Sequence, residues 1–193
     1  MQLSGALQQT LIGRLWPEGN VTTFRWGILI LVGSLFLAAC AQITVWTVPV
    51  PITMQTFGVL VVGAVYGWRL GLATVAAYLV EGAIGLPFFA GMTGGLAILF
   101  GPTGGYLFGF VAAAAMVGWL AERGWDRNIL TMALAMLIGN VVLYVPGIVW
   151  LSNFTGWEKV FDYGLYPFVI GDAVKLAAAA LLLPAAWQFM RRG

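Results

Sequence analysis

The strongest constraint on the fold is the segment Trp26–Val45, in which twenty consecutive residues carry no charge. A helix needs about 20 apolar residues to cross the hydrocarbon core of a bilayer. Only 8% of the 193 residues are charged, whereas about 25% are charged in an average soluble domain. The chain is therefore expected to be an integral membrane protein that contacts the lipid bilayer over most of its length.

Five further apolar segments follow and predict five more membrane-spanning helices: Thr56–Trp68, Leu72–Gly85, Gly104–Ala121, Ile129–Leu151 and Pro167–Trp187. The predicted fold class is all-α, with one six-helix membrane domain over residues 25–193. Residues 1–24 are predicted to form a cytoplasmic N-terminal segment. Its leucines Leu3, Leu7, Leu11 and Leu15 recur every four residues. This spacing fits either a short amphipathic helix at the membrane surface or a frayed terminus.

Charge asymmetry predicts the orientation of these helices. Loops on one side hold only Lys159, whereas the other side holds seven arginines: Arg14, Arg25, Arg69, Arg123, Arg127, Arg191 and Arg192. Since basic residues concentrate on the cytoplasmic side, both termini are predicted to be cytoplasmic. The glycine-rich stretch between helices 3 and 4 (87–105) and the loop 153–166 then face outward. The chain is predicted to be a multi-pass protein of the inner (plasma) membrane.

The residue inventory excludes several kinds of chemistry. There is no histidine, and Cys40 is the single cysteine. Intramolecular disulfides, Cys/His zinc sites and histidine-based nucleophile systems are therefore excluded. No catalytic residue, metal ligand or cofactor is predicted, and a net charge of +2 does not favour nucleic-acid binding. A membrane enzyme that uses Asp172, Lys175 and Glu81 on a lipid, or a purely structural subunit, remain as alternatives.

Ionisable and polar residues inside the predicted helices are candidate functional residues. Asp172 and Lys175 are three residues apart, so they share one face of the sixth helix. They form either an ion pair that fixes this helix in the bundle or the polar end of an outward-facing ligand cavity. Asn140 and Tyr144 are one turn apart on the fifth helix and could bond to a ligand or to another helix. Glu81 is expected to extend from the third helix toward water.

The glycine-rich stretch contains two similar motifs, Thr93-Gly94-Gly95-Leu96 and Thr103-Gly104-Gly105-Tyr106. Neither is a phosphate-binding loop, because the lysine of that motif is missing. The stretch is either a backbone-lined part of a ligand cavity with aromatic walls from Phe89 and Tyr106 or a tight connection between helices. Its second half continues into a repeat of small residues at every fourth position, which predicts close helix packing: Gly101, Gly105, Gly109 and Ala113.

Four motifs together resemble the BioY family, in order along the chain from about Trp26 to Leu183. The segment Val50–Thr56 resembles the extracellular approach to the family's second helix. Gly82–Gly91 and Gly101–Tyr106 resemble its central loop, and Pro167-Phe168 with Gly171–Lys175 resembles its last-helix signature. The N-terminal extension and Glu81 depart from the family pattern.

The resemblance implies a substrate-specific component for biotin in an energy-coupling factor (ECF) transporter. Such a component has six helices, binds its vitamin near the outer surface and lacks ATPase activity. It works with a transmembrane coupling subunit and two cytoplasmic ATPases, although a solitary biotin transporter or a component for another vitamin are alternatives. By resemblance, Asp172 and Lys175 contact the ligand. The remaining expected ligand-binding residues are Thr93, Gly94, Gly95, Tyr106, Asn140 and Phe89.

Overall fold

The computed structural model describes residues 9–15, 23–45 and 49–192, and every structural statement below refers to these residues. They are mainly helical, and a two-stranded antiparallel hairpin joins two of the helices. The elements in chain order are α1 (Leu11–Leu15), α2 (Thr23–Gln42), β1 (Thr44–Val45), β2 (Ile52–Thr53), α3 (Gln55–Tyr66), α4 (Trp68–Ala83), α5 (Leu96–Leu99), α6 (Gly104–Ala121), a 3-10 turn (Trp125–Arg127), α7 (Ile129–Thr155), α8 (Val160–Gly164) and α9 (Tyr166–Arg192).

Helices α2, α3, α4, α6, α7 and α9 occupy the six segments that the apolar runs predict. Within the described ranges, four helical segments are long and apolar enough to cross a membrane: Phe24–Gln42, Gly104–Ala121, Ile129–Thr155 and Val160–Met190. The other two, α3 with 12 residues and α4 with 16, are shorter than the roughly 20 residues that a perpendicular crossing needs. A multi-span helical protein is thus confirmed, whereas the count of six crossings stays a prediction.

Helices α3 and α4 are joined by a single residue, Gly67, with φ of +80°. Glycine adopts this conformation at little cost because it has no Cβ. The Gly67 amide donates to the Gly63 carbonyl over 2.9 Å and so completes the last turn of α3. Gly71 packs against Gly63 across the turn. This tight connection places α3 and α4 side by side.

Helix α6 lies at the centre of the bundle and contacts α3, α4 and α7. Its small residues face α7, as the four-residue repeat predicts. A Cβ on Gly109 would lie 2.7 Å from the Leu143 carbonyl oxygen. The Trp150 indole of α7 also donates to the Gly101 carbonyl over 2.9 Å. These small residues thus bring two membrane helices into backbone contact.

The N-terminal helix α1 packs against α3 rather than standing apart from the bundle. Leu11 is buried, whereas Leu15 is exposed. Thr10, just before α1, is buried beside Gly67. Leu3 and Leu7 lie outside the described residues, so the predicted amphipathic helix over residues 1–24 stays a prediction.

Candidate functional site

The buried charges of α9 form an ion pair. The Lys175 Nζ lies 2.8 Å from the Asp172 Oδ1, and the two side chains are 11% and 8% exposed. Buried charges need partners because desolvation costs several kcal/mol per ion. The two side chains are therefore in contact, the two alternatives from the sequence both stay open, and the ion pair forms one end of a larger polar network.

Residues from three other elements complete the coordination of this pair. The ammonium of Lys175 donates to the Thr53 carbonyl at the end of β2 (2.7 Å) and to the Thr56 hydroxyl in the first turn of α3 (2.8 Å). The Tyr144 hydroxyl of α7 donates to the Asp172 Oδ2 over 2.5 Å. The Thr56 hydroxyl lies 3.3 Å from the Asp172 Oδ1. Three hydrogen bonds therefore hold the ammonium, and both carboxylate oxygens have donors.

A pocket of about 40 Å³ opens beside this network. Its polar wall comes from the hairpin and the start of α3, whereas α6, α7 and the start of α9 supply apolar and aromatic walls. The lining residues are Val50, Pro51, Thr53, Gln55, Thr56, Thr103, Tyr106, Leu107, Phe110, Leu143, Tyr144 and Phe168. A mainly apolar cavity with a few convergent polar groups is typical of small-molecule binding sites.

Asn140 and Tyr106 lie where the sequence predicts site residues. Asn140 lines a small cavity with Asp172 and Lys175. Its Oδ1 is buried, and no hydrogen-bond donor reaches it from the described residues. Tyr106 lines the main pocket and meets Tyr144 edge to face, with ring centroids 5.9 Å apart. Its hydroxyl donates to the Gly164 carbonyl over 2.8 Å, so Tyr106 offers the pocket its ring rather than a free hydroxyl.

The other four predicted residues lie in the glycine-rich loop, away from the pocket lining. Phe89 is buried against Tyr78, and its amide donates to the Thr93 carbonyl over 2.9 Å. The Gly95 amide donates to Gly82 of α4, and a Cβ on Gly94 would clash with the backbone of the same loop. The ligand-contact role of these four residues stays a prediction that this geometry does not support.

A chain of buried hydrogen bonds connects that loop to the ion pair. The Phe88 carbonyl accepts from the Tyr78 hydroxyl over 3.0 Å, and the same hydroxyl accepts from the Gln55 amide over 2.6 Å. The Gln55 Oε1 in turn accepts from the Thr53 hydroxyl over 2.9 Å, and the Thr53 carbonyl holds Lys175. Analysis of individual residue types missed Thr53, Gln55, Thr56 and Tyr78, because neutral polar side chains give no charge signal. Three of them lie in the Val50–Thr56 motif, and the resemblance of that motif to the BioY family is the signal in the sequence that could have identified them.

Two acidic residues outside the membrane-spanning segments lie at the opposite end of the bundle. Burial raises the pKa of Asp126 to about 6, although the Trp187 indole donates to its Oδ2 over 2.5 Å. Burial also raises the pKa of Glu122, whose carboxylate accepts from the Trp68 amide over 3.0 Å. At the other end, Glu81 is half-buried. Its Oε2 is buried without a hydrogen-bond partner among the described residues, and its expected extension toward water stays a prediction. No group of side chains suited to a metal ion occurs in the described ranges.

The chain is similar in sequence to several curated transporters. A protein named probable biotin transporter BioY from Pyrococcus horikoshii is 42% identical over 152 residues, which is 77% of this chain and 90% of the relative. The biotin transporter BioY of Thermotoga maritima is 39% identical over 135 residues, 69% of this chain and 79% of its own length. That of Rhizobium etli is 40% identical over 155 residues, with coverages of 76% and 82%. These relatives are transporters by name, not enzymes.

A solved structure supports the same fold. It is the S-component for biotin from an ECF-type ABC transporter, with a TM-score of 0.77 and 23% sequence identity. The alignment covers 89% of this chain and 95% of that chain. At this identity the similarity shows the fold alone. The profile of the BioY family matches residues 17–192, almost the whole chain, and the protein therefore belongs to the BioY family.

Proposed function

We propose that this protein captures biotin and serves its uptake, as the substrate-specific subunit of an ECF-type ABC transporter. The observation that carries the proposal is the buried Asp172–Lys175 pair with Tyr144 and Thr56 beside a mainly apolar pocket. The relatives that bear the name of biotin transporters contribute the identity of the ligand. The site supplies binding and orientation, so the role is that of a transport component rather than an enzyme.

The chemistry of biotin matches the two ends of the pocket. Its ureido group carries two N–H donors and a carbonyl, its ring contains an apolar thioether, and its tail ends in a carboxylate. Asp172 can accept from donors, whereas Lys175 and Tyr144 can donate to acceptors. The rings of Tyr106 and Phe168 suit the thioether, because sulfur packs favourably against aromatic edges. Asn140 offers a buried oxygen that needs a donor.

Binding between the hairpin, α6 and the start of α9 requires this pocket to widen. A volume of about 40 Å³ holds a few water molecules, which is less than a bicyclic vitamin with a five-carbon chain occupies. The hairpin that carries Thr53 and the start of α9 that carries Phe168 both border the pocket. We therefore propose that these two elements separate when the ligand enters. Lys175 would then exchange one or more of its three hydrogen bonds for contacts with the ligand.

The proposed topology has six crossings and cytoplasmic termini in the cell inner membrane. The arginine asymmetry supports it. In this proposed topology the hairpin, the glycine-rich loop and the pocket face outward, where a scavenged vitamin arrives. The chain has no phosphate-binding motif, so a transmembrane coupling subunit and two cytoplasmic ATPases would supply the energy.

Titration calorimetry of biotin into detergent-purified protein tests the ligand and the site together. We expect tight one-to-one binding, weakened at least tenfold (about 1.4 kcal/mol) by Asp172→Asn or Lys175→Ala. Lys159→Ala is the matched control, because Lys159 is exposed at the same predicted face. Absence of binding by folded wild-type protein would contradict the biotin assignment. Tight binding that neither substitution affects would reduce the pair to a structural role.

The energising partner needs a separate measurement. Uptake of labelled biotin would be compared between cells that produce this chain alone and cells that also produce a coupling subunit with its ATPases. Uptake that appears only with the coupling module supports the ECF assignment. Equal uptake in both strains would favour a solitary transporter.

A further inference from the structure

We propose that the arginine-bearing end of the bundle binds the headgroup of an anionic phospholipid. Three tryptophans at this end stack with arginines. Arg123 lies 3.4 Å from the ring centre of Trp119, Arg69 lies 5.0 Å from that of Trp68, and the ring of Trp187 is contacted by Arg127 (4.7 Å) and Arg14 (5.9 Å). We call the four arginines and three tryptophans the Arg–Trp surface.

The members of the Arg–Trp surface belong to one continuous part of the fold. The Trp68 amide at the start of α4 donates to Glu122 at the end of α6. The Trp187 indole of α9 donates to Asp126 in the 3-10 turn that follows α6. The start of α4, the turn after α6 and the last turns of α9 are therefore joined at one end of the bundle, which is the rim that carries the four arginines. Indole rings concentrate at the boundary between hydrocarbon and headgroups, so this rim is expected at headgroup level.

The guanidinium groups of this surface are available to a ligand. Arg14, Arg123 and Arg127 are exposed and Arg69 is half-buried. None of the four forms an ion pair within the part of the chain that the structure describes. Stacking occupies the face of a guanidinium and leaves its N–H donors in the plane of the group. The Nη1 of Arg123 donates to the Trp119 carbonyl over 2.9 Å, and its remaining N–H groups can donate to a ligand. Those edges match the oxygens of a phosphate diester in geometry and charge.

The acidic residues at this end leave the surface positive. The Asp126 side chain is fully buried beneath Trp187. Glu122 is half-buried, and its carboxylate caps the start of α4. It interacts with the charges of Arg69 and Arg123, so it offsets part of the positive charge of the four arginines. At the opposite end the exposed charges are Glu158, Lys159 and Asp162, which carry a net negative charge. An anionic lipid therefore finds a matching surface at one end only.

A lipid is the occupant that this environment favours. Trp119 is 43% exposed at the end of a membrane-spanning helix, so acyl chains pass directly beside Arg123. Each arginine near a membrane surface contributes about 1 kcal/mol to the attraction of anionic lipids. The Arg–Trp surface combines N–H groups that can donate to a phosphate with an adjacent contact to hydrocarbon. A phosphate that carries acyl chains is therefore expected to bind more tightly than a soluble phosphate.

The test measures lipid preference in mixed detergent micelles. Energy transfer from the protein's tryptophans to dansyl-tailed phosphatidylglycerol or phosphatidylcholine reports binding of each lipid. We expect wild-type protein to prefer phosphatidylglycerol, and each of Arg123→Gln and Arg127→Gln to weaken that preference about fivefold (about 1 kcal/mol). Lys159→Gln removes the same charge from the opposite end and is expected to leave the preference unchanged. High salt should reduce the preference in the wild type.

Three results would overturn the proposal. The first is equal binding of the two lipids by wild-type protein. The second is a loss in Lys159→Gln as large as that in Arg123→Gln, which would indicate a net-charge effect without a site. The third is full displacement of the dansyl lipid by an equal concentration of soluble glycerophosphoglycerol, which would indicate a site for free anions. Arg123→Lys keeps the charge and should retain most of the preference, even where a glutamine variant folds poorly. The assay contains no biotin, so its outcome is independent of the proposed transport function.

Discussion

Replacement of Lys175 by methionine should destabilise the protein strongly, because it removes one partner of a buried ion pair. Methionine preserves most of the side-chain volume and hydrophobic packing, so the change acts mainly on charge. The substitution deletes three hydrogen bonds: to the Asp172 carboxylate, the Thr53 carbonyl and the Thr56 hydroxyl. Asp172, which is 6% exposed, then remains as a buried anion with hydroxyl donors only.

The magnitude follows from this uncompensated charge. Removal of one partner from a buried pair typically costs about 3–5 kcal/mol. The Tyr144 and Thr56 hydroxyls still reach the carboxylate, which places the expectation for Lys175→Met near the lower limit, about 3 kcal/mol. The double variant Asp172→Asn/Lys175→Met retains no charge at this site. It should therefore be more stable than Lys175→Met, although it has one substitution more.

The assay is equilibrium unfolding in detergent, measured without biotin, for the wild type, both single variants and the double variant. Lys159→Met is the matched control; since Lys159 is exposed, its effect should stay within about 0.5 kcal/mol. A loss below about 1 kcal/mol for Lys175→Met, or a double variant less stable than Lys175→Met, would refute the view that the ammonium neutralises a buried carboxylate.

Three further predictions address the surroundings of the pair, the helix packing and the opposite end. Tyr144→Phe removes the donor to Asp172 and should cost about 1–3 kcal/mol of stability and weaken biotin binding, as measured by unfolding and calorimetry. Gly109→Ala places a Cβ 2.7 Å from the Leu143 carbonyl oxygen and should destabilise the protein by about 1–3 kcal/mol. Asp126 has a folded-state pKa of about 6, above its ordinary value of 3.8, so the folded state binds the proton more tightly. Its contribution to stability is therefore full below pH 3.8, falls as the pH rises to about 6 and is then constant, and Asp126→Asn should remove this part of the pH dependence of the unfolding temperature.

Each of these predictions has a control that isolates its cause. Tyr163→Phe removes a hydroxyl from an exposed tyrosine and should change neither stability nor binding. Gly27→Ala adds a methyl group where no atom lies within 4 Å and should be neutral or slightly stabilising. In the pH series, the unfolding temperature of Asp126→Asn should no longer fall between pH 3.8 and 6. A fall as large as that of the wild type would show that another group, such as Glu122, is responsible.

The helices could be predicted from the sequence because lipid imposes a strong and local rule. Each backbone polar group must be satisfied within the helix, so an uncharged run of sufficient length has few alternatives. For this reason the predicted segment Gly104–Ala121 agrees with α6 at both ends. The crossing count does not follow from this rule, because α3 and α4 are short and their separation depends on the conformation of one glycine, Gly67.

The site could be predicted only where charge marks it. Asp172 and Lys175 are conspicuous because ionised side chains are rare in membrane helices. Their partners are neutral: Thr53 and Thr56 are more than 110 residues away in sequence, and no local period connects them to α9. The glycine-rich loop is the opposite case: its composition suits a ligand cradle, whereas its backbone bonds to itself and to α4, and its ligand role stays a prediction. Residue type alone does not distinguish Thr53 and Thr56 from the loop residues. The difference is that the two threonines come close to α9 in the fold although they are distant from it in sequence.

The same network bears on selectivity under the proposed function. Because Asp172 and Lys175 already have protein partners, a ligand gains little from polar contacts unless it replaces every bond that it displaces. Biotin has the donors and acceptors to do so, whereas an apolar molecule of equal shape would leave a buried carboxylate or ammonium with fewer partners. Sites built on buried polar groups reject ligands that lack the matching group far more strongly than apolar walls reject a change of one methylene. The ion pair therefore contributes discrimination as well as affinity, whereas the aromatic walls from Tyr106 and Phe168 contribute affinity with less discrimination.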